Sequence, residues 1–125
     1  MRTILGLVLL LTQPVLAAEC FRVVDSPSRP QIILRGLIEH RPSSANPGAI
    51  KTFLKLSAPI CIQGTASDGL PFKKENVESI QLGLPNNLLG KLLPLDRVAV
   101  RGELWSPALN DEPPDYVIFA VKDVL

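Results

Sequence analysis

Short runs of alternating apolar and polar residues, bounded by proline or glycine, constrain the fold of this chain most strongly. The cleanest run, residues 97–105, places apolar or small side chains at every second position: Val98, Val100, Gly102 and Leu104. Because successive side chains of a strand point to opposite faces, this run predicts a strand with one buried face. Similar runs predict further extended segments at residues 20–24, 31–39, 51–56, 60–62, 77–82 and 116–124. The fold is therefore predicted to be mainly β.

One segment departs from this alternation. Residues 85–94 begin and end with proline and carry leucines at the spacing of one helical face: Leu88, Leu89, Leu92 and Leu93. Asparagine is a favoured N-cap, so Asn86 or Asn87 is the predicted start and Pro94 the predicted end. The segment therefore predicts one short helix, or a pair of 3-10 turns, between the third and fourth main strand regions.

Five strands with one helix in this position are typical of a small OB-type barrel, which closes on itself and so removes exposed sheet edges. Gly36 and Gly102 lie inside predicted strands, where glycine allows the sharp bends that barrel closure requires. We therefore predict a five-stranded OB-like barrel over residues 31–125, preceded by an extended lead-in at residues 19–30. A two-sheet sandwich is the alternative, and it needs more strands than the sequence offers.

The first eighteen residues have the order of a secretory signal peptide. Arg2 supplies a positive start, residues 4–11 are an unbroken apolar run, and small residues precede the predicted cleavage site after Ala18, with Ala17 as the second choice. The apolar run is too short to remain as a membrane-spanning helix. A buried N-terminal core helix is the alternative. The leader predicts a periplasmic or secreted protein with residues 1–18 removed.

The chain has two cysteines, Cys20 and Cys61, so one intramolecular pairing exists. Disulfides persist in the compartments that export reaches, and this one would add roughly 4 kcal/mol by the chain-entropy model. It would tie the lead-in to the middle of the domain. A redox or metal-binding thiol pair is the alternative, without Cys-x-x-Cys spacing to favour it. Lipid attachment at Cys20 is disfavoured because Glu19 precedes it.

Charge and composition exclude several classes of protein. The chain of 125 residues has 13 basic and 12 acidic side chains and is 46% hydrophobic, which favours one globular domain over a disordered tail. A nucleic-acid partner is not expected, because counterion release needs a basic face. One histidine and two cysteines cannot supply a four-ligand zinc site from those residue types alone. We expect no metal, no other cofactor and no membrane span, and we favour a monomer.

Four segments carry a resemblance to a known family. They are, in order, LRGL at residues 34–37, LSAPICI at 56–62, IQL at 80–82 and VAVRGEL at 98–104. Together they resemble the bacterial exported proteins of domain-of-unknown-function family 4431. The resemblance extends over residues 32–124 and implies a small exported β-rich domain. It implies no particular activity, because none is assigned to the family. Relatives tend to place histidine and threonine in the loop after Leu104, whereas residues 106–114 of this chain contain no histidine.

The sequence offers few residues suited to catalysis. His40 is the sole histidine, and no Gly-x-Ser-x-Gly motif accompanies it, so a small hydrolase using His40 is only an alternative. The acidic residues Asp111, Glu112 and Asp115 share one proline-rich loop. Three interpretations are open: a weak calcium site, a clamp on a basic partner, or a solvated loop. The absence of EF-hand spacing disfavours the calcium site.

We predict a non-enzymatic exported binding module for a protein or cell-envelope component. Its contacts are predicted from the loops at residues 41–48 and 106–114, with five candidate partner-binding residues: His40, Arg41, Trp105, Asp111 and Glu112. Trp105 is the candidate anchor because aromatic side chains dominate interfaces, and core packing is its alternative role. Two other functions stay open, an inhibitor or immunity protein for an envelope-directed enzyme and a structural accessory subunit.

Export and cysteine pairing together predict the covalent form of the native protein. We expect material isolated from its native compartment to begin at Glu19 and to contain Cys20 and Cys61 as a disulfide. Intact mass, measured with alkylation before and after reduction, reports both features. Material that retains the initiator methionine and alkylates twice without reduction would contradict the export hypothesis.

Overall fold

The computed structural model describes residues 20–23, 30–43 and 48–125. The predicted signal peptide at residues 1–18 lies outside these ranges, as do residues 24–29 and 44–47. The described residues form six strands: β1 Phe21–Val23, β2 Ile32–Pro42, β3 Ile50–Thr65, β4 Pro71–Gly83, β5 Arg97–Trp105 and β6 Ile118–Val124. The prediction of a mainly β protein is confirmed.

Five of the strands form a closed ring of hydrogen-bonded neighbours. β3 pairs antiparallel with β2 and with β4, β2 pairs antiparallel with β5, and β5 pairs antiparallel with β6. The parallel pairing of β6 with β4 completes the ring. The sixth strand, β1, comes from the lead-in and pairs in parallel with the end of β3.

The strand faces follow the alternation of the sequence. Val100 and Leu104 of β5 are buried, as the parity of that strand predicts. The largest fully buried side chains come from four strands of the ring: Ile38 of β2, Leu54 and Ile62 of β3, Val100 of β5 and Phe119 of β6. The remaining strand, β4, contributes the buried Ile80 and Leu82. Burial of each such side chain stabilises the fold by about 1.5–3 kcal/mol. One apolar core therefore joins all five strands of the ring.

Three local expectations differ from the structure. The leucine segment forms a single 3-10 turn, Asn86–Leu88, rather than a short helix; Pro85 is its N-cap and the chain is extended again at Leu89. β4 begins at Pro71, well before the predicted residue 77. β3 passes through Pro59 without ending, because the register with β4 shifts between Lys55 and Ile60 and so accommodates a residue without an N–H.

Close backbone approach explains the two glycines that the sequence predicted to lie inside strands, Gly36 and Gly102. A Cβ atom built at Gly36 would overlap the carbonyl oxygen of Lys55, and one built at Gly102 would overlap the carbonyl oxygen of Ala120. Gly102 also stands at a register shift between β5 and β6. At both positions the neighbouring backbone leaves no room for a Cβ atom, so only glycine fits without a backbone shift.

A disulfide joins Cys20 to Cys61, as predicted, with the two Cα atoms 4.5 Å apart. It stands beside the parallel pairing of β1 with β3, which matches Phe21 to Ile62. The bond and the three-residue strand together hold the lead-in against the ring. Among residues 20–23, 30–43 and 48–125, no helix has the length and apolar character needed to cross a membrane.

The close approach at Gly36 predicts a large stability loss on adding one methyl group. We expect Gly36→Ala to lower the free energy of unfolding by about 1–3 kcal/mol, since overpacking against backbone leaves little room to relax. Gly83→Ala is the matched control, because the nearest atom to its added Cβ is Ile118 Cδ1 at 3.4 Å, an ordinary contact. Urea titration measures both variants, and equal losses would contradict this interpretation.

Candidate functional site

A groove of about 330 Å³ opens beside the β3–β4 pair. Its apolar floor includes the buried side chains of Ile62, Ile80 and Val117. The end of β2 and the loop joining β5 to β6, residues 106–117, supply the other walls. Because three strands and a loop that are far apart in sequence meet here, the groove is a product of ring closure.

Arg41 contributes a fixed cation to the groove. Its Cζ lies 3.9 Å from the centre of the Phe53 ring, within the range of a cation–π interaction. Its Nη2 donates to Ser79 Oγ at 2.8 Å and to Glu39 Oε1 at 2.6 Å. Glu39 stands opposite Phe53 in the register of β2 with β3, so the pairing itself brings these groups together. With 45% of its side chain exposed, Arg41 is held in place yet accessible.

An ion-pair cluster ties the β5–β6 loop to the sheet. Lys51 Nζ lies 2.7 Å from Asp111 Oδ2 and 3.2 Å from Glu112 Oε2, and Lys51 is the cross-strand partner of Arg41. The hydrogen bond to Asp111 raises the pKa of Lys51, against the opposing effect of burial. The same hydrogen bond lowers the pKa of Asp111. Lys51 and Asp111 are therefore both charged at neutral pH.

Other contacts fix the same loop at its far end. Ser106 is buried and donates to the carbonyl oxygens of Pro114 at 3.0 Å and Tyr116 at 2.8 Å. Burial, and then the negative charge of Glu112, raise the pKa of Tyr116. Its phenol consequently stays neutral at physiological pH and retains a proton to donate. The loop is a fixed wall of the groove rather than a loose excursion.

Gln81 is the least satisfied polar group at the site. Its Oε1 atom is buried, lies among the groove residues and has no hydrogen-bond partner within the described part of the chain. Leaving a buried acceptor unpaired costs about 1–3 kcal/mol. The groove is therefore lined by a cation, a phenol and an amide whose buried oxygen lacks a partner.

The five predicted partner-binding residues fall in three places. Arg41 and Glu112 line the groove, and Asp111 supports its wall through Lys51. His40 does not join them, because its Nε2 lies 3.2 Å from the carbonyl oxygen of Leu92. Trp105, 39% exposed, lines a separate cavity of about 280 Å³ next to β1.

Sequence reasoning missed four residues that line the groove: Phe53, Ser79, Gln81 and Tyr116. It also missed Lys51, which holds the wall through Asp111. Phe53 and Tyr116 are aromatic residues of a kind expected in the core. Ser79 and Gln81 carried the available signal, since these polar residues alternate with the apolar Ile80 and Leu82. That alternation shows which side chains leave the core, and pairing alone decides what they meet.

Metal binding finds no support in the geometry. Across the described ranges, no three His, Cys, Asp or Glu side chains converge so as to hold a metal ion. Asp111 and Glu112 neutralise Lys51, and Asp115 lies 3.7 Å from Lys74.

Comparison with protein-family models, curated proteins and solved structures finds no match for this chain. The resemblance to family 4431 stays a prediction.

The Lys51 cluster predicts a pH-dependent contribution to stability. Since the pKa of Asp111 is lowered on folding, its stabilising effect is present above the ordinary carboxyl pKa of 3.8 and is lost as pH falls through the lowered value. We expect Lys51→Met to be less stable than the parent chain at pH 7, and the difference to shrink toward zero below that lowered pKa.

Urea midpoints across this pH range measure the difference between the two chains. Lys55→Met is the control, because Lys55 is exposed on the same strand, and its substitution should shift the midpoint little at any pH. A Lys51→Met deficit that persists undiminished in acid would show that lost packing, rather than the ion pair, explains the effect.

Proposed function

We propose that this chain is a non-enzymatic exported binding module whose groove holds a protein or cell-envelope component. The observation that carries the proposal is the convergence of fixed polar groups on one apolar-floored space. Arg41 is positioned by Phe53 and Ser79, and the buried Oε1 of Gln81 has no hydrogen-bond partner among the described residues. Ligand sites characteristically combine an apolar lining with a few placed polar groups.

The strand order supports an OB-like barrel as the finer description of the fold. Numbered within the ring alone, the second and third strands are β3 and β4, and the single parallel contact joins the third strand to the fifth. In OB folds, the face of the second and third strands and the two flanking loops bind oligosaccharides or oligonucleotides. The groove occupies the corresponding face. This support is an analogy of fold.

The disulfide supports export. Disulfides persist in the periplasm and outside the cell and are rare in the cytosol, so the Cys20–Cys61 bond agrees with removal of a signal peptide at residues 1–18. A net charge of +1 disfavours nucleic acid as the groove's ligand, because phosphate contacts need a basic face. A protein or envelope component in the periplasm or medium is the partner class that fits both points.

The position of His40 disfavours the hydrolase alternative. A general base must reach the proton that it abstracts. The His40 ring is engaged with the Leu92 carbonyl, whereas the one hydroxyl held in the groove by Arg41 belongs to Ser79. A binding role accounts for the Arg41 geometry without a base.

Replacing Arg41 tests the groove directly. We expect Arg41→Ala to weaken capture of envelope components by about tenfold or more, because a charge-assisted hydrogen bond contributes about 1.5–3 kcal/mol. Arg35→Ala is the matched control, since Arg35 is an exposed arginine of the same strand that pairs with Ala99, away from the groove. Mass spectrometry of material retained from an envelope extract identifies the ligand, and titration calorimetry then measures affinity.

The outcomes separate the candidate surfaces. Components that bind the parent chain and Arg35→Ala but not Arg41→Ala support the groove. Components lost only on Trp105→Ala would move the site to the cavity beside β1. Equal retention by all variants, each with an unchanged urea midpoint, would contradict a groove-based function.

A further inference from the structure

The connection between β4 and β5 presents an exposed apolar cluster. Within this segment, which we term the leucine loop (residues 84–96), Leu89 and Leu93 are each 58% exposed and Leu95 is 76% exposed. Leu92, between them, is buried at 7% and belongs to the core. Leu84 and Leu88 are partly buried and also pack against the core. Three leucines of the loop therefore anchor it and three are exposed, so the exposure does not come from a loop that failed to pack.

Backbone hydrogen bonds hold the leucine loop rigidly. The Leu95 N–H donates to the Ile38 carbonyl at 2.7 Å, and the Ile38 N–H donates to the Asp96 carbonyl at 2.9 Å. The Leu93 N–H donates to Asp96 Oδ2 at 3.0 Å, and the Asp96 N–H donates back to the Leu93 carbonyl at 3.1 Å. The exposed leucines are therefore presented in a fixed geometry.

Both the backbone conformation and the side-chain exposure of Leu95 are unfavourable for leucine. Its φ of 70° lies in the left-handed region, which glycine and asparagine occupy readily and a bulky residue does not. Its side chain is also the most exposed of the large hydrophobic residues in the described part of the chain. Neither conformation nor burial favours leucine here. Strain of this kind is characteristic of positions with a functional role.

The character of the cluster indicates what covers it. Three isolated aliphatic side chains offer much less than the roughly 800 Å² per partner that a specific protein interface buries. Leucine is also under-represented among the residues that dominate such interfaces. Lys91 and Arg97 are exposed in and beside the same loop. They outnumber its one exposed carboxylate, Asp96, which accepts from the Leu93 N–H, so the net charge beside the leucines is positive and complements anionic headgroups. Shallow aliphatic insertion flanked by basic residues suits a lipid surface.

We infer that the leucine loop docks this protein on a bilayer that contains anionic lipid. Leu89, Leu93 and Leu95 enter the boundary between headgroups and acyl chains, and Lys91 and Arg97 face lipid phosphates. Docking is peripheral and reversible. It is separate from ligand binding in the groove, because no leucine-loop residue lines that space.

Vesicle sedimentation tests this inference with matched variants. We expect the protein to sediment with phosphatidylglycerol-containing vesicles more than with phosphatidylcholine vesicles, and less as salt increases. Leu93→Ser combined with Leu95→Asn should weaken binding by about tenfold or more, because most of the inserted apolar surface is removed. Leu70→Ser is the control, since Leu70 is 63% exposed between β3 and β4. All chains carry the same N-terminus, so the leader contributes equally to each.

A stability measurement distinguishes docking from folding. Leu95→Asn alone should keep or raise the urea midpoint, because asparagine accepts the left-handed backbone, while still weakening vesicle binding. Equal vesicle binding by parent and double variant, or none by the parent chain, would overturn the inference. So would a concentration-dependent dimer, measured by light scattering, that the double variant abolishes, because a second copy would then cover the leucines.

Discussion

Closure of the ring through the parallel contact of β4 with β6 is the constraint on which the rest of the structure depends. It matches Gln81 to Ile118, Leu82 to Phe119 and Gly83 to Ala120. The contact is short, and it joins strands separated by β5 and two loops. Leu82 and Phe119, which face each other in this pairing, are both buried. The pairing also places Gln81 beside the end of the β5–β6 loop, where β6 begins. The apolar core and the wall of the groove thus arise from the same pairing.

The electrostatics of the groove follow from this closure. Once the β5–β6 loop lies over β3, the Lys51 ammonium meets two carboxylates, and its neighbour across the strands, Arg41, is left to Phe53, Glu39 and Ser79. Lys51 is neutralised by the two carboxylates that hold the wall, whereas Arg41 lines the groove. This division of roles is why we regard Arg41 rather than Lys51 as the ligand-contacting group.

Alternation along β2 separates two surfaces. Arg41 faces the groove, whereas His40, the preceding residue, contacts the Leu92 carbonyl in the leucine loop. A strand directs neighbouring side chains to opposite faces, so one strand end supports both the proposed ligand site and the proposed lipid-docking loop. Fixed geometry at both places means that neither surface must be ordered on binding, which lowers the entropic cost of association.

Local pattern determined much of this protein before any tertiary contact is considered. Alternation alone predicts β5 at residues 97–105 and its buried face, and a count of two cysteines together with a predicted export leader predicts the Cys20–Cys61 bond. Local pattern failed at residues 85–94, where it predicted one buried helical face for four leucines. In the structure some of these leucines are buried and others are exposed, and hydrogen bonds to Ile38 hold the loop in that arrangement. It also missed Ser79, Gln81 and Tyr116, because their roles depend on which strand lies beside them. Periodicity reports which face of a segment avoids water, and that is a local property. The neighbour on the other face is set by register and ring closure, which only the assembled chain decides.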